Sequence, residues 1–386
     1  MREVSVIGVG STPFGKLEGQ GLRDMATAAA NEALADAGID RKQIQAFYLG
    51  NFASDSLVGQ GTVAPLVANA LGLPRIPTTK VEGACASAGI AFRHGYMMVA
   101  TGICDFVLVV GVEKMSSAST AKVTQALSGA ADIETEAKCG LTFPGAFALA
   151  ARRHMHQYGT TRKQIGLVSV KNRRNALKNP KAQFRKEVSI EEVLESRMIA
   201  DPLRLYDCCP ISDGAAAAVL CSAEVAAELS KQPIDVIGSG HVVGPTTLYQ
   251  TKDLTGFEAT QRAADQAFEM ARISRDDVDL AEVHDCFTIA EIIATEDLGF
   301  FEKGKGGCAV EEGATQIGGR IPINTAGGLL TKGHPVGATG LGQIYEVVRQ
   351  LRGQAYNQVR NAEIGLAHNL GGTGAVATVH ILRSRN

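Results

Sequence analysis

The feature that most constrains the fold is an internal repeat. The segment Val6-Ile7-Gly8-Val9-Gly10 is echoed by Val236-Ile237-Gly238-Ser239-Gly240. Downstream of each, Ala30, Ala33, Leu34, Ala37, Ile39, Arg41 and Ile44 meet Ala264, Ala267, Phe268, Ala271, Ile273, Arg275 and Val278, 234 positions further on. Their apolar members fall at helical spacing ahead of a turn and an apolar strand. A duplicated unit is one reading; two independent helix–strand units with ordinary patterning is the other. Residues 105–111 and 362–367 are further short apolar runs placed alike in the two halves. Alternating strands and Ala-rich helices predict an α/β architecture with buried, largely parallel sheets. The expected division is 1–122 with 205–231 as one half, 232–386 as the other, and 123–204 as a segment of a different kind.

Composition narrows the function classes. With 45% hydrophobic and 20% charged residues, the chain can bury large cores, which excludes intrinsic disorder. Aromatics are only 5% and Trp is absent, so those cores must be built from Ala, Val, Ile and Leu. A net charge of −2 argues against a bulk electrostatic hold on nucleic acid or an anionic membrane. The longest apolar runs, Phe106–Val110 and Ala215–Cys221, are far short of the ~20 residues of a membrane span. The N-terminus reads as a strand, so a cytoplasmic protein with reduced thiols is expected. Cysteines 85, 104, 139, 208, 209, 221, 286 and 308 form no C-x-x-C pair, and no metal site is expected.

From Ala151 to Lys186 the chain carries 11 Lys or Arg residues and no acid, including Arg152, Arg153, Lys171, Arg173, Arg174 and Lys178. One reading is a solvated helical face. The other is an anion site for a phosphate-bearing small molecule. Nucleic acid fits less well, because only Tyr158 and Phe184 interleave the charges.

Positions where the two halves part company chemically come next. Where the first half has Gly50-Asn51-Phe52, the second has His284-Asp285-Cys286, followed by Phe287. A titratable trio at the carboxyl end of a strand is where α/β sheets place ligands, although a His and a Cys also pack well in cores. Small residues flank Cys85 in Glu82-Gly83-Ala84-Cys85-Ala86-Ser87-Ala88. A helix start there predicts a lowered thiol pKa and free N–H groups for an oxyanion; a structural Cys in a tight turn is the alternative. In Gly333-His334-Pro335-Val336-Gly337-Ala338-Thr339-Gly340 the glycines predict an exposed, rigidly held imidazole fit to act as a general base. His368-Asn369-Leu370-Gly371-Gly372-Thr373-Gly374 reads as a strand end and a Gly-rich turn.

These four motifs together resemble the thiolase family, and the H-D-C-F loop resembles the sterol-carrier-protein-type thiolases and their archaeal and bacterial relatives. The resemblance spans the whole chain, including Ile211-Ser212-Asp213-Gly214-Ala215-Ala216 and the basic stretch to Asn179-Pro180. It implies two mixed-sheet halves in α-β-α-β-α layers, with a loop domain that binds coenzyme A through the basic stretch. It implies CoA-dependent cleavage of a 3-oxoacyl-CoA, or the reverse Claisen condensation, with no permanently bound cofactor. Acetoacetyl-CoA is the first expected substrate, and a bulky or aromatic 3-oxoacyl-CoA such as benzoylsuccinyl-CoA the second. Cys85 is then the nucleophile and His334 its base. His284 with His334 serves an enolate oxyanion, and the N–H groups of Cys85 and Leu370 serve the Cys-bound centre.

Most of the family has Asn at the place of His284 and a second Cys at the place of His368. In this subgroup Cys286 takes the acid–base role, with His368 and Asn369 behind it. A homodimer or tetramer is implied, as is a candidate small zinc-ribbon/OB-fold partner. The rival readings are a ketosynthase- or hydroxymethylglutaryl-CoA-synthase-like condensing enzyme and a non-catalytic CoA-binding subunit. The cysteine at 286 favours thiolysis, because reversible proton transfer at carbon wants an acid as well as a base.

Overall fold

The computed structural model describes residues 1–229 and 232–385. The expected boundary at 231–232 therefore falls on a residue outside the described ones. Among them the main sheet has nine strands: β1 (Val4–Ser11), β2 (Ala46–Gly50), β3 (Thr78–Val81), β4 (Phe106–Glu113), β5 (Gly214–Ser222), β6 (Ile234–Val243), β7 (Leu280–Glu282), β8 (Ile364–Gly371) and β9 (Val376–Ser384). Their spatial order is β3-β2-β4-β5-β1-β6-β9-β8-β7. Outward from the centre, β1-β5-β4-β2-β3 on one side matches β6-β9-β8-β7 on the other, and a parallel bridge from Ala281 to Ile323 takes the fifth place. The sheet is mixed rather than largely parallel: β2–β3, β2–β4 and β7–β8 are parallel, and the remaining pairs are antiparallel.

The repeat extends to irregularities. Ile7 is skipped between the pairs Val6–Leu220 and Gly8–Val219, and Ile237 between Gly238–Ile381 and Val236–Leu382. Each bulge sits in the same place of its half. The glycines beside it let a helix lie directly on the strand. A Cβ on Gly10 would lie 2.2 Å from the Ala29 carbonyl of α1 (Leu22–Ala37), and one on Gly240 1.9 Å from the Ala263 carbonyl of the matching helix Glu258–Ala271. The halves meet at β1 and β6 through only two pairs, Ser5–Asp235 and Val6–Ile234.

Three large packed cores flank the two halves of the sheet. The outer core of the first half gathers Ala29, Ala33, Phe47, Leu108 and Val219. The outer core of the second gathers Ala263, Ala267, Phe268, Val379 and Ile381. Between the two halves of the sheet lie α2 (Ser87–Ala100) and a helix at Thr339–Leu351, where Phe92, Val109 and Leu220 meet Leu341, Ile344 and Ala367. Both central helices start beside the candidate residues, so the layer that joins the halves also positions the site. Between β4 and β5 the chain adds α3 (Thr120–Ser128), α4 (Phe143–Tyr158) and α5 (Arg162–Ala176). Phe147 of α4 and Ile165 of α5 join the core of the second half with Phe287.

Candidate active site

Cys85 lies in a single 3-10 turn, Ala84–Ala86, between β3 and α2. Ala84 there has a φ of 51°. The turn is held by the Ala84 N–H donating to Glu82 Oε1 at 2.6 Å and by Ser87 Oγ, which donates to the Ala84 carbonyl at 2.6 Å. A non-glycine residue in this region is strained and persists where its surroundings over-determine it. α6 (Glu258–Ala271) covers the second half, α7 (Thr288–Asp297) follows the His284–Phe287 loop, and α8 (Thr339–Leu351) follows the His334 loop. A Cβ on Gly340 would lie 2.5 Å from the Gly89 nitrogen, so α2 and α8 cross here at a distance only glycine permits.

This crossing brings together groups far apart in sequence. Cys85 Sγ and a ring nitrogen of each of His284 and His334 all lie within 4.8 Å of one another. The two imidazoles meet edge to face at 5.0 Å. Cys286 lines the same cavity, of about 230 Å³, whose far walls include Leu127, Phe143 and Phe147.

Hydrogen bonds fix the tautomers. Thr339 Oγ1 donates to the Pro335 carbonyl at 3.1 Å, so at 2.7 Å from His334 Nδ1 it accepts, and Nδ1 carries the proton. His334 Nε2 is then a lone pair. Asn369 Nδ2 donates to His284 Nδ1 at 3.1 Å, so His284 Nε2 carries N–H. One imidazole offers a base and the other a donor. His368 is turned away from the cavity: Nδ1 accepts from the His284 N–H at 3.4 Å, and Nε2 meets Thr260 Oγ1 at 3.0 Å. Burial lowers the His334 and His368 pKa values to about 3. Burial and the two neighbouring imidazoles hold His284 well below its usual range. All three are neutral near pH 7. Cys85, His284 and His334 are also close enough to share a metal ion, but the protonated Nε2 of His284 is a hydrogen-bond donor rather than a ligand.

Several expectations need correction. The Cys85 thiol is not acidified; burial first, and the Glu113 carboxylate second, push it up to about 12 against the N–H groups of Gly372 and Cys85 itself. Desolvation outweighs a helix start when the thiolate has little water. His334 is not exposed but 5% accessible, because both halves close over its loop. The backbone group facing Cys85 from the last motif is Gly372, whereas Leu370 sits in β8 opposite Ala377. Cys286 is 7% exposed, and its thiol is pushed well above the ordinary value by burial and then by Cys209 and Cys85.

Lys171 cannot meet a nucleotide: it is buried, donates to the Ile323 carbonyl at 2.7 Å and pairs with Glu291 at 2.7 Å. Asn172 beside it donates to Asp285 Oδ2 at 2.8 Å and ties α5 to the His284–Phe287 loop. Arg152 pairs with Asp201, Arg153, Arg174 and Lys178 are exposed, and Arg173 lies over Phe184 at 4.4 Å. None of these six basic residues lines the cavity. Sequence reasoning gave no role to Cys209, which lines it and donates from its N–H to the Cys286 carbonyl at 3.0 Å. It also passed over Glu113 at the end of β4. The only signal for either was a titratable residue at a strand end or in the Cys208-Cys209-Pro210 run.

Residues 4–224 match the family model described as thiolase, N-terminal domain, and residues 240–384 match thiolase C-terminal domain-like. The acetyl-CoA acetyltransferase of Methanothermobacter thermautotrophicus is 51% identical over 382 residues, covering 99% of both chains. The benzoylsuccinyl-CoA thiolase subunit BbsB of Thauera aromatica is 38% identical, covering 96% of this chain and 95% of that one. A solved structure described as the Ltp2-ChsH2(DUF35) aldolase superposes with a TM-score of 0.86 at 29% identity, covering 99% of this chain and 98% of that one.

Proposed function

The chain belongs to the thiolase family, and from that premise we propose that it interconverts acetoacetyl-CoA plus CoA with two acetyl-CoA through an acyl-enzyme on Cys85. The observation that carries this reading is the trio of Cys85, His284 and His334 within 4.8 Å, with one imidazole tautomer suited to accept a proton and the other to donate. His334 Nε2 takes the Cys85 proton as the sulfur attacks the 3-oxo carbon. A thiol held at about 12 makes a free resting thiolate rare, so deprotonation and attack go together. The N–H groups of Cys85 and Gly372 receive the first oxyanion. Carbon–carbon cleavage leaves an enolate, held by His284 Nε2–H and the newly protonated His334. Cys286 supplies the proton to carbon. His334 returns its proton to the Cys286 thiolate and then deprotonates the incoming CoA thiol; the CoA sulfur takes the acyl group, and the departing Cys85 thiolate recovers the proton from His334.

A bulkier 3-oxoacyl-CoA is the second reading. It is favoured by an apolar cavity of about 230 Å³, much of it beyond what an acetyl group would fill. The same fold carries a neighbour described as an aldolase, but a cysteine beside a basic imidazole favours the thioester route here. We assign the CoA nucleotide to Arg152, Arg153, Arg173, Arg174 and Lys178, without Lys171. The proposed division is 1–122 with 205–231, 123–204 as the CoA-binding loop domain, and 232–386. We further propose a cytoplasmic homo-oligomer with a small zinc-ribbon/OB-fold partner, supported by the DUF35-containing neighbour. No helix among the described residues is long and apolar enough to cross a membrane.

The test is a panel of 3-oxoacyl-CoAs assayed for CoA-dependent cleavage. Acetoacetyl-CoA should give two acetyl-CoA, with or without longer substrates. Turnover confined to long or aromatic substrates would favour the second reading, and none with any member would reject thiolysis.

A further inference from the structure

Glu113 ends β4 and is fully buried, yet it is not part of the cavity wall. Its carboxylate gathers donors from two loops. Oε2 accepts the Phe52 N–H at 2.9 Å and the Gly337 N–H at 3.1 Å; Oε1 accepts Asn51 Nδ2 at 2.9 Å, and the Ala53 N–H reaches both oxygens at 3.3 Å. The fit at Gly337 is tight, since a Cβ there would lie 2.7 Å from Glu113 Oε2 and 2.7 Å from Asn51 Cα. At its other end the loop is held by the His334 N–H, which donates to Ser212 Oγ at 3.0 Å. His334 thus stands in a four-residue span anchored at both ends.

We propose that Glu113 is a positioning residue: as a carboxylate it fastens the His334–Gly337 loop to the Asn51–Ala53 turn and so holds the imidazole against Cys85. The proposal rests on reading His334 as the base of Cys85.

Burial raises the Glu113 carboxyl to about 7, against the Phe52, Ala53 and Gly337 N–H groups and the Lys80 charge. The charged and titratable groups facing it are Lys80 of β3, itself paired with Asp55 at 3.7 Å, and Cys85 in the turn before α2. The neighbouring imidazoles stay neutral across this range, so they add no charge to the balance. Protonation turns one acceptor oxygen into an O–H directed at N–H donors. The clamp is therefore complete above about 7 and fails as pH falls through that value.

The experiment compares the full-length enzyme with Glu113→Gln, measuring kcat and KM for thiolysis across pH and the pH dependence of Cys85 alkylation by iodoacetamide. In the native enzyme kcat should fall about tenfold per pH unit below about 7, with KM unchanged. In Glu113→Gln, kcat near pH 8 should drop by roughly 10- to 100-fold, the scale of a misplaced catalytic group, and the acid limb should vanish. Its Cys85 should alkylate at lower pH, because a negative charge beside the sulfur is gone. A purely structural loss would not move thiolysis and alkylation in opposite directions. A retained acid limb, or a native kcat, would overturn the proposal. Should the variant not fold, the native enzyme decides: its acylation rate must drop reversibly between about pH 8 and 6 with unchanged circular dichroism, and a constant rate overturns the proposal. Absence of thiolysis at every pH would instead reject the proposed function, while the alkylation curves would still report on Glu113.

Discussion

Asn369 donates from Nδ2 to Nδ1 of His284 across 3.1 Å, and this contact leaves Nε2 as the protonated nitrogen. Two residues 85 positions apart in the chain thus decide whether the cavity sees a donor or a base at His284.

Asn369→Ala should release that choice. Carbon–carbon cleavage should fall by about 10²–10³-fold, the usual worth of one oxyanion donor. Acyl exchange between Cys85 and CoA should fall much less, because its tetrahedral centre faces the Cys85 and Gly372 N–H groups. Parallel assays of acetoacetyl-CoA cleavage and labelled acetyl exchange check this; equal losses would remove His284 from the enolate step.

Cys286→Ala should separate the same two steps from the acid side. Cleavage and α-proton exchange of acetyl-CoA should drop by roughly 10²–10⁴-fold, with acyl exchange retained. His368→Ala should do less, since its ring is committed to Thr260 and the His284 N–H. Native α-proton exchange in Cys286→Ala would refute the assignment.

How much of this was legible in the sequence depends on how local each feature is. The repeat showed because Gly10 against Ala29 and Gly240 against Ala263 are packing devices written within about 25 residues of each other. The four loops showed because glycines and titratable residues cluster in short runs. The direction of the Cys85 and His334 pKa shifts did not show, because burial arises only when both halves close over α2 and α8. Nor did Glu113, whose bond to Gly337 joins residues 224 apart. Lys171 misled for the same reason: as a cation in a basic run it reads as solvent-facing, and only the fold reveals Glu291 against it.

That correction is testable in the basic stretch. Arg174→Glu and Lys178→Glu should raise the KM for CoA substantially and the KM for pantetheine thioesters little. Lys171→Met should instead harm both substrates equally and lower stability by about 3–5 kcal/mol, the cost of stranding a buried partner charge. A selective effect of Lys171→Met on CoA would restore it to the nucleotide site.

Asp213 gives a stability prediction with a defined pH window. Burial raises its carboxyl, but bonds from Lys114, Ser116 and Met115 outweigh burial and hold it below the ordinary 3.8. A depressed carboxyl contributes stability that is present above its unfolded value and lost as pH falls through the lower folded value. Asp213→Ala should cost about 3–5 kcal/mol at neutral pH, with the gap to the native protein closing only below 3.8. Urea unfolding at a series of pH values measures it.

The account's central claim is that Cys85 carries the acyl group. Incubation with acetoacetyl-CoA, acid quenching and peptide mass spectrometry test it most directly. The acetyl group should appear on the peptide containing Cys85, should leave on addition of CoA, and should be absent from Cys85→Ser. Acetylation of Cys286 or Cys209 with Cys85 unmodified, or full thiolysis by Cys85→Ser, would contradict it.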